Sequence, residues 1–122
     1  LPQLPMEQWK DTIENVFETA RVEEVIGDFV QLKRSGSNLK GLSPFVDEKS
    51  PSFMVSPVKQ IWKDFSSGKG GNVVTFLMEH EHFTYPEAIK FLARKYNAVS
   101  QLGEILDPIA DKILIVFVFL DF

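Results

Sequence analysis

The segment from Gly41 to Gly71, GLSPFVDEKSPSFMVSPVKQIWKDFSSGKGG, constrains the fold of this chain more than any other. Two short runs of alternating apolar residues, Ser52 to Ser56 and Gln60 to Phe65, are joined by Pro57-Val-Lys-Gln60, which predicts two antiparallel strands and a tight connection. Ser43-Pro-Phe-Val46 precedes this hairpin and Asp64-Phe-Ser-Ser67 closes it. The two turns share the same internal spacing.

Twin turns around a hairpin, each presenting side chains three residues apart, are the layout of a zinc ribbon. The segment resembles the N-terminal zinc-binding domain of bacterial DnaG-type DNA primases. That pattern runs Cys-Pro-Phe-His, Glu-Lys-Thr-Pro-Ser-Phe, a hairpin, Cys-Phe-x-Cys-Gly, and a Gly-Gly-Asn that opens a helix. The matching residues are Pro44, Phe45, Glu48-Lys-Ser-Pro-Ser-Phe53, Val55, Phe65, Gly68, Gly71 and Asn72, and the lead-in Arg21 to Lys33 is similar too. The resemblance puts the four metal-ligand positions at Ser43, Val46, Asp64 and Ser67. Structural zinc needs thiolate or imidazole donors, which hydroxyls and a valine do not supply. The expectation is therefore a metal-free, cofactor-free ribbon in which Asp64 accepts hydrogen bonds from Ser43 and Ser67 while Val46 fills the space beside them. Structural zinc is worth about 10–16 kcal/mol in such small folds, so its loss demands a substitute of this kind.

The 122 residues suffice for one domain of ordinary size, with 44% hydrophobic residues to build a core. Without cysteine there is no disulfide and no thiolate metal site, which is compatible with a cytoplasmic location. No secretory signal is visible at the N-terminus. The net charge of −4 argues against nucleic acid until its distribution is followed. Between Gln31 and Gly70, seven cations face three carboxylates, so the ribbon is basic and the acidity lies in the flanking sequence.

Leu1 to Lys10 carries two prolines and no apolar period, and is read as a flexible leader. Ile13, Val16, Phe17 and Ala20 predict an amphipathic helix from Asp11. A short helix over Val22 to Asp28 follows, with Val25, Ile26 and Phe29 facing inward. Phe29 to Lys33 and Leu39 to Leu42 add strands, giving a sheet of about four. Asn72 is an N-cap for a helix to His82, and Thr84 or Tyr85 with Pro86 starts another that buries Ile89, Leu92, Ala93 and Tyr96. The expected fold class is α+β: a zinc-ribbon-like antiparallel sheet flanked by N-terminal and C-terminal helices, over residues 11–97.

Residues 98–122 follow another pattern. Gly103-Glu-Ile-Leu-Asp107-Pro-Ile-Ala-Asp111 resembles the second half of the CDP-alcohol phosphatidyltransferase signature, whose aspartates lie on a membrane helix and help bind divalent metal. The first half is missing, and the apolar run Ile113 to Leu120 is far short of the roughly 20 residues that span a bilayer. The tail is read as an unrelated or fused segment.

Basic residues interleaved with aromatics point to single-stranded nucleic acid: Lys33, Arg34, Lys40, Lys59, Lys63 and Lys69 for phosphates, Trp62 and Phe45 for stacking on bases. The glycines of Ser67-Gly-Lys-Gly-Gly71 fail the phosphate-loop spacing, and His80 and His82 lack metal-ligand partners and read as solvated or capping residues. Glu79, Glu81 and Glu87 read as a solvated helix face, and no catalytic constellation is visible. The resemblance implies a template-binding module of a bacterial DNA primase that engages single-stranded DNA and helps a separate polymerase domain begin an RNA primer. That polymerase domain is not in the chain, so catalysis is not expected of it alone. The polymerase domain and the replicative helicase are the implied protein partners, with no membrane partner. The alternative is a protein-interaction module that docks on the polymerase domain or another replisome protein through Trp62 and the apolar ribbon face.

Overall fold

A computed structural model describes residues 6–96. Residues 1–5 of the expected leader and the whole of the 98–122 tail therefore lie outside the described residues. The rest falls into two compact units, one from Arg21 to Phe83 and one built from the helices on either side of it.

In the helical unit, α1 (Met6–Thr19) packs on α4 (Tyr85–Lys95). Helix α1 starts five residues ahead of the expected Asp11, taking in Met6 to Lys10 of the expected leader. Val16 and Ala20 are buried as the apolar period requires, but Phe17 is exposed. Helix α4 opens on a capping box: the Thr84 hydroxyl accepts from Glu87 N–H while the Glu87 carboxylate accepts from Thr84 N–H, with Pro86 in the first turn. Ala88, Leu92 and Ala93 form its buried stripe.

The second unit holds α2 (Val22–Gly27), strands β1 (Lys33–Ser35), β2 (Asn38–Gly41), β3 (Phe53–Ser56), β4 (Ile61–Asp64) and β5 (Gly70–Gly71), then α3 (Val73–His80). The strands form an antiparallel meander in the order β1-β2-β3-β4-β5. The fifth strand is one more than expected, because a two-glycine strand has no side-chain alternation to announce it. Gly71 also allows close packing: a Cβ there would collide with the Thr75 side chain.

Leu39, Val55 and Trp62 lie side by side across three strands, and Phe53 lies opposite Asp64. This face is the inner one: Phe53, Val55, Trp62 and Asp64 are buried with Val22, Val25 and Ile26 of α2 and Val73, Val74, Phe76 and Leu77 of α3. Helices α2 and α3 pack on each other and on the sheet. Asn72 caps α3 by accepting from Thr75 N–H at 3.0 Å. The N-terminus of α2 is capped from a distance instead. Gln60, in the β3–β4 turn, accepts from Val22 N–H at 2.8 Å and donates to Glu23 at 2.9 Å and to Pro57 O at 2.7 Å.

Candidate nucleic-acid interface and the knuckle site

The turns before β3 and after β4 form two knuckles. In the first, the Ser43 hydroxyl accepts from the N–H groups of Phe45 and Val46, each at 3.1 Å. In the second, Gly68 N–H donates to Asp64 O and Asp64 N–H to Lys69 O, both at 2.8 Å. Asp64 Oδ2 joins them: it accepts from the Ser43 hydroxyl at 2.8 Å, the Ser67 hydroxyl at 2.6 Å and Ser67 N–H at 3.3 Å. Asp64 is fully buried, and its other oxygen, Oδ1, has no hydrogen-bond partner among the described residues. The expected Ser43–Asp64–Ser67 contact is present. Val46 differs: its side chain is 41% exposed, so it contributes its backbone N–H and does not plug the interior.

This donor set does not fit zinc. It comprises one carboxylate, two hydroxyls already donating to that carboxylate, and a valine. Among the described residues no three His, Cys, Asp or Glu side chains come together as a metal site.

A second carboxylate joins the same turns, and the sequence reading gave it no role. Glu48 accepts from Ser43 N–H at 2.8 Å, from Ser52 N–H at 3.1 Å and from the hydroxyls of Ser52 and Ser66. The Ser52 and Ser66 hydroxyls, with the two N–H groups adding to them, hold its carboxyl down at about 2. The only signal for this in sequence is a glutamate set among serines.

The outer face of the sheet is basic. Lys33 lies opposite Lys40, Lys40 opposite Met54, Met54 opposite Lys63, and Lys63 opposite Gly70, so one cross-strand row carries three lysines and a methionine. Lys33 to Lys63 spans three strand spacings, about 14 Å. Lys33, Arg34 and Lys40 line a groove of about 640 Å³ with Phe29, Leu42 and Pro51. A second depression of about 510 Å³ lies among Met54, Lys59, Ile61, Lys63 and Phe65. Lys63 also donates to Gly68 O at 2.9 Å. Lys69 is already engaged: it pairs with Glu79 at 2.9 Å and lies 4.9 Å over the Phe45 ring.

Trp62 is buried and is not the exposed stacking ring that was expected. It is 2% exposed, its indole N–H donates to Asn72 O at 2.7 Å, and Phe45 stacks on it at 5.5 Å. Neither ring of this pair is presented to a base. Phe45, Phe53, Trp62 and Phe76 form one cluster, which the half-buried His80 joins by stacking on Phe76 at 5.0 Å. The exposed ring beside the lysine row is Phe65, 67% exposed, which was expected as the end of the second alternating run and as a motif match but not as a stacking residue.

Residues 8–106 match the CHC2 zinc finger family. The chain belongs to that family. It is 50% identical to the DNA primase of Listeria monocytogenes over 84 residues, 69% of this chain and 13% of that protein. Against the DNA primase of Geobacillus stearothermophilus it is 51% identical over 86 residues, 70% of this chain and 14% of that protein. A crystal structure of the Aquifex aeolicus primase, comprising its zinc-binding and RNA polymerase domains, superposes with a TM-score of 0.67 at 36% identity, covering 70% of this chain and 21% of that one. This chain thus spans between an eighth and a sixth of the length of the curated primases it matches. A second family, CDP-alcohol phosphatidyltransferase, matches residues 91–122, nearly all of them outside the described residues. Among the described residues no helix is long and apolar enough to cross a membrane.

Proposed function

We propose that this chain is the template-binding module of a bacterial DNA primase, engaging single-stranded DNA and supporting RNA primer synthesis by a polymerase domain, in the cytoplasm. The observation that carries this reading is the exposed row Lys33–Lys40–Met54–Lys63 with Phe65 beside it. Flexible cations at strand spacing follow a phosphate backbone, and an exposed ring offers a stacking surface that tolerates any base. The polymerase domain and the replicative helicase are its protein partners on this reading.

Labelled single-stranded DNA titrated at several salt concentrations tests it. Arg34 lies opposite Leu39, in the row of the other face, so with Lys33, Lys40, Lys59 and Lys63 on phosphates log affinity falls with log salt at a slope of about −3. Lys63→Glu weakens binding and flattens the slope. A salt-insensitive interaction, unchanged in Lys63→Glu, rules the reading out. The second reading, docking on the polymerase domain or another replisome protein, draws on the exposed apolar side chains Val58, Ile61 and Phe65. It would give tight protein binding and no salt-dependent DNA binding.

A further inference from the structure

We infer that this chain keeps the knuckle fold of its family without a metal ion, using a buried carboxylate as the hub between the knuckles. Its folding is then indifferent to chelators and to thiol oxidants. A serine hydroxyl has one hydrogen and two lone pairs. Ser43 gives its hydrogen to Asp64 and takes the N–H groups of Phe45 and Val46 on its lone pairs, so it is saturated. Ser67 gives its hydrogen to the same carboxylate and accepts from Lys69 N–H at 3.3 Å. Val46 has no donor atom in its side chain. That leaves Asp64 Oδ1, and one carboxylate oxygen falls far short of the four nitrogen or sulfur ligands of structural zinc.

The same geometry shows what holds the knuckles instead. Ser43 belongs to the first knuckle and Asp64 to the second, so their hydrogen bond crosses between the two turns that a metal would otherwise bridge. Glu48 makes an independent crossing, from Ser43 N–H on one side to the Ser66 hydroxyl on the other. Two carboxyl side chains, Asp64 and Glu48, each taking hydroxyl and amide donors, therefore bridge one pair of turns. Packing adds to them: Phe45 of the first knuckle stacks on Trp62 and meets Phe76 edge-on at 6.3 Å. No bridge contains sulfur, and the chain has no cysteine, so a thiol oxidant has no target.

The test is the metal content and melting temperature of the purified chain, neither of which depends on whether it binds DNA. Native mass spectrometry is expected to give the mass of the metal-free chain, and the melting temperature to stay the same with EDTA, added zinc or diamide. Ser43→Ala, which removes one crossing, lowers the melting temperature by roughly 4–8 °C. Asp64→Ala, which removes the hub, lowers it further or abolishes folding. One equivalent of zinc in the purified chain, or a melting temperature that falls with EDTA, overturns the inference. So does a Ser43→Ala variant as stable as its parent.

Discussion

Trp62 and Asp64 point to the same side of β4, and both are buried: the indole N–H reaches Asn72 O at the start of α3, while the carboxylate gathers Ser43 and Ser67. One strand thus fixes both the helix that covers the sheet and the turns at its end. The face opposite this pair is the one left to meet a ligand.

Trp62→Phe separates packing from recognition. The substitution keeps an apolar ring but loses the hydrogen bond to Asn72 O and part of the indole volume, for a destabilisation of about 1–3 kcal/mol by denaturant unfolding. Affinity for single-stranded DNA measured below the melting temperature should stay within about twofold, since less than one kcal/mol is at stake in binding. A loss of DNA affinity without loss of stability would restore Trp62 to the interface.

How much of this was legible in the sequence is best judged on that strand. Alternation puts Trp62 and Asp64 on one face, and the twin turns made Asp64 the natural partner of Ser43 and Ser67. A buried Asp64 therefore obliges a buried Trp62, and treating the tryptophan as a stacking platform conflicted with the clasp. The strands, the Asn72 cap and the Thr84 start of α4 follow from local residue choices, which is why they were readable. Glu48 and Gln60 were not, because their partners are set by where the turns come to lie. Gln60 caps a helix 38 residues away.

Gln60 supplies the second prediction. It holds a left-handed backbone at φ 57°, a conformation that costs a non-glycine residue about 1 kcal/mol or more, while its amide ties Val22, Glu23 and Pro57 together. Gln60→Ala keeps the strain and loses the bonds, for about 1–3 kcal/mol of destabilisation. Gln60→Gly loses the same bonds but relieves the strain, so it falls between the other two. Chemical denaturation reads the order, and Gly above the parent would mean that the amide contributes less than the strained backbone costs.

Glu48 makes stability depend on acid. Its carboxyl is held at about 2, below an ordinary 4.5, so the ionised form is favoured in the fold. The resulting stabilisation is complete above about pH 4.5 and disappears as pH falls towards 2, because the unfolded chain takes up the proton first. Melting temperature followed from pH 6 to pH 2 should therefore fall more steeply in the parent than in Glu48→Gln. Parallel curves would show that the serines do not hold the ionised carboxylate.

Phe65 gives the sharpest division between the two readings of the outer face. Its ring is mostly exposed and follows Lys63 by two residues, so removing it costs the fold little and a stacked base much. Stacking contributes about 1–3 kcal/mol per base, which makes Phe65→Ala roughly 5- to 150-fold weaker on single-stranded DNA. Phe65→Trp should bind at least as well as the parent. Because the ring carries no charge, Phe65→Ala should keep the salt slope that Lys63→Glu flattens. Equal affinity for Phe65→Ala and the parent, alongside weakened binding to the polymerase domain, would assign this face to a protein partner.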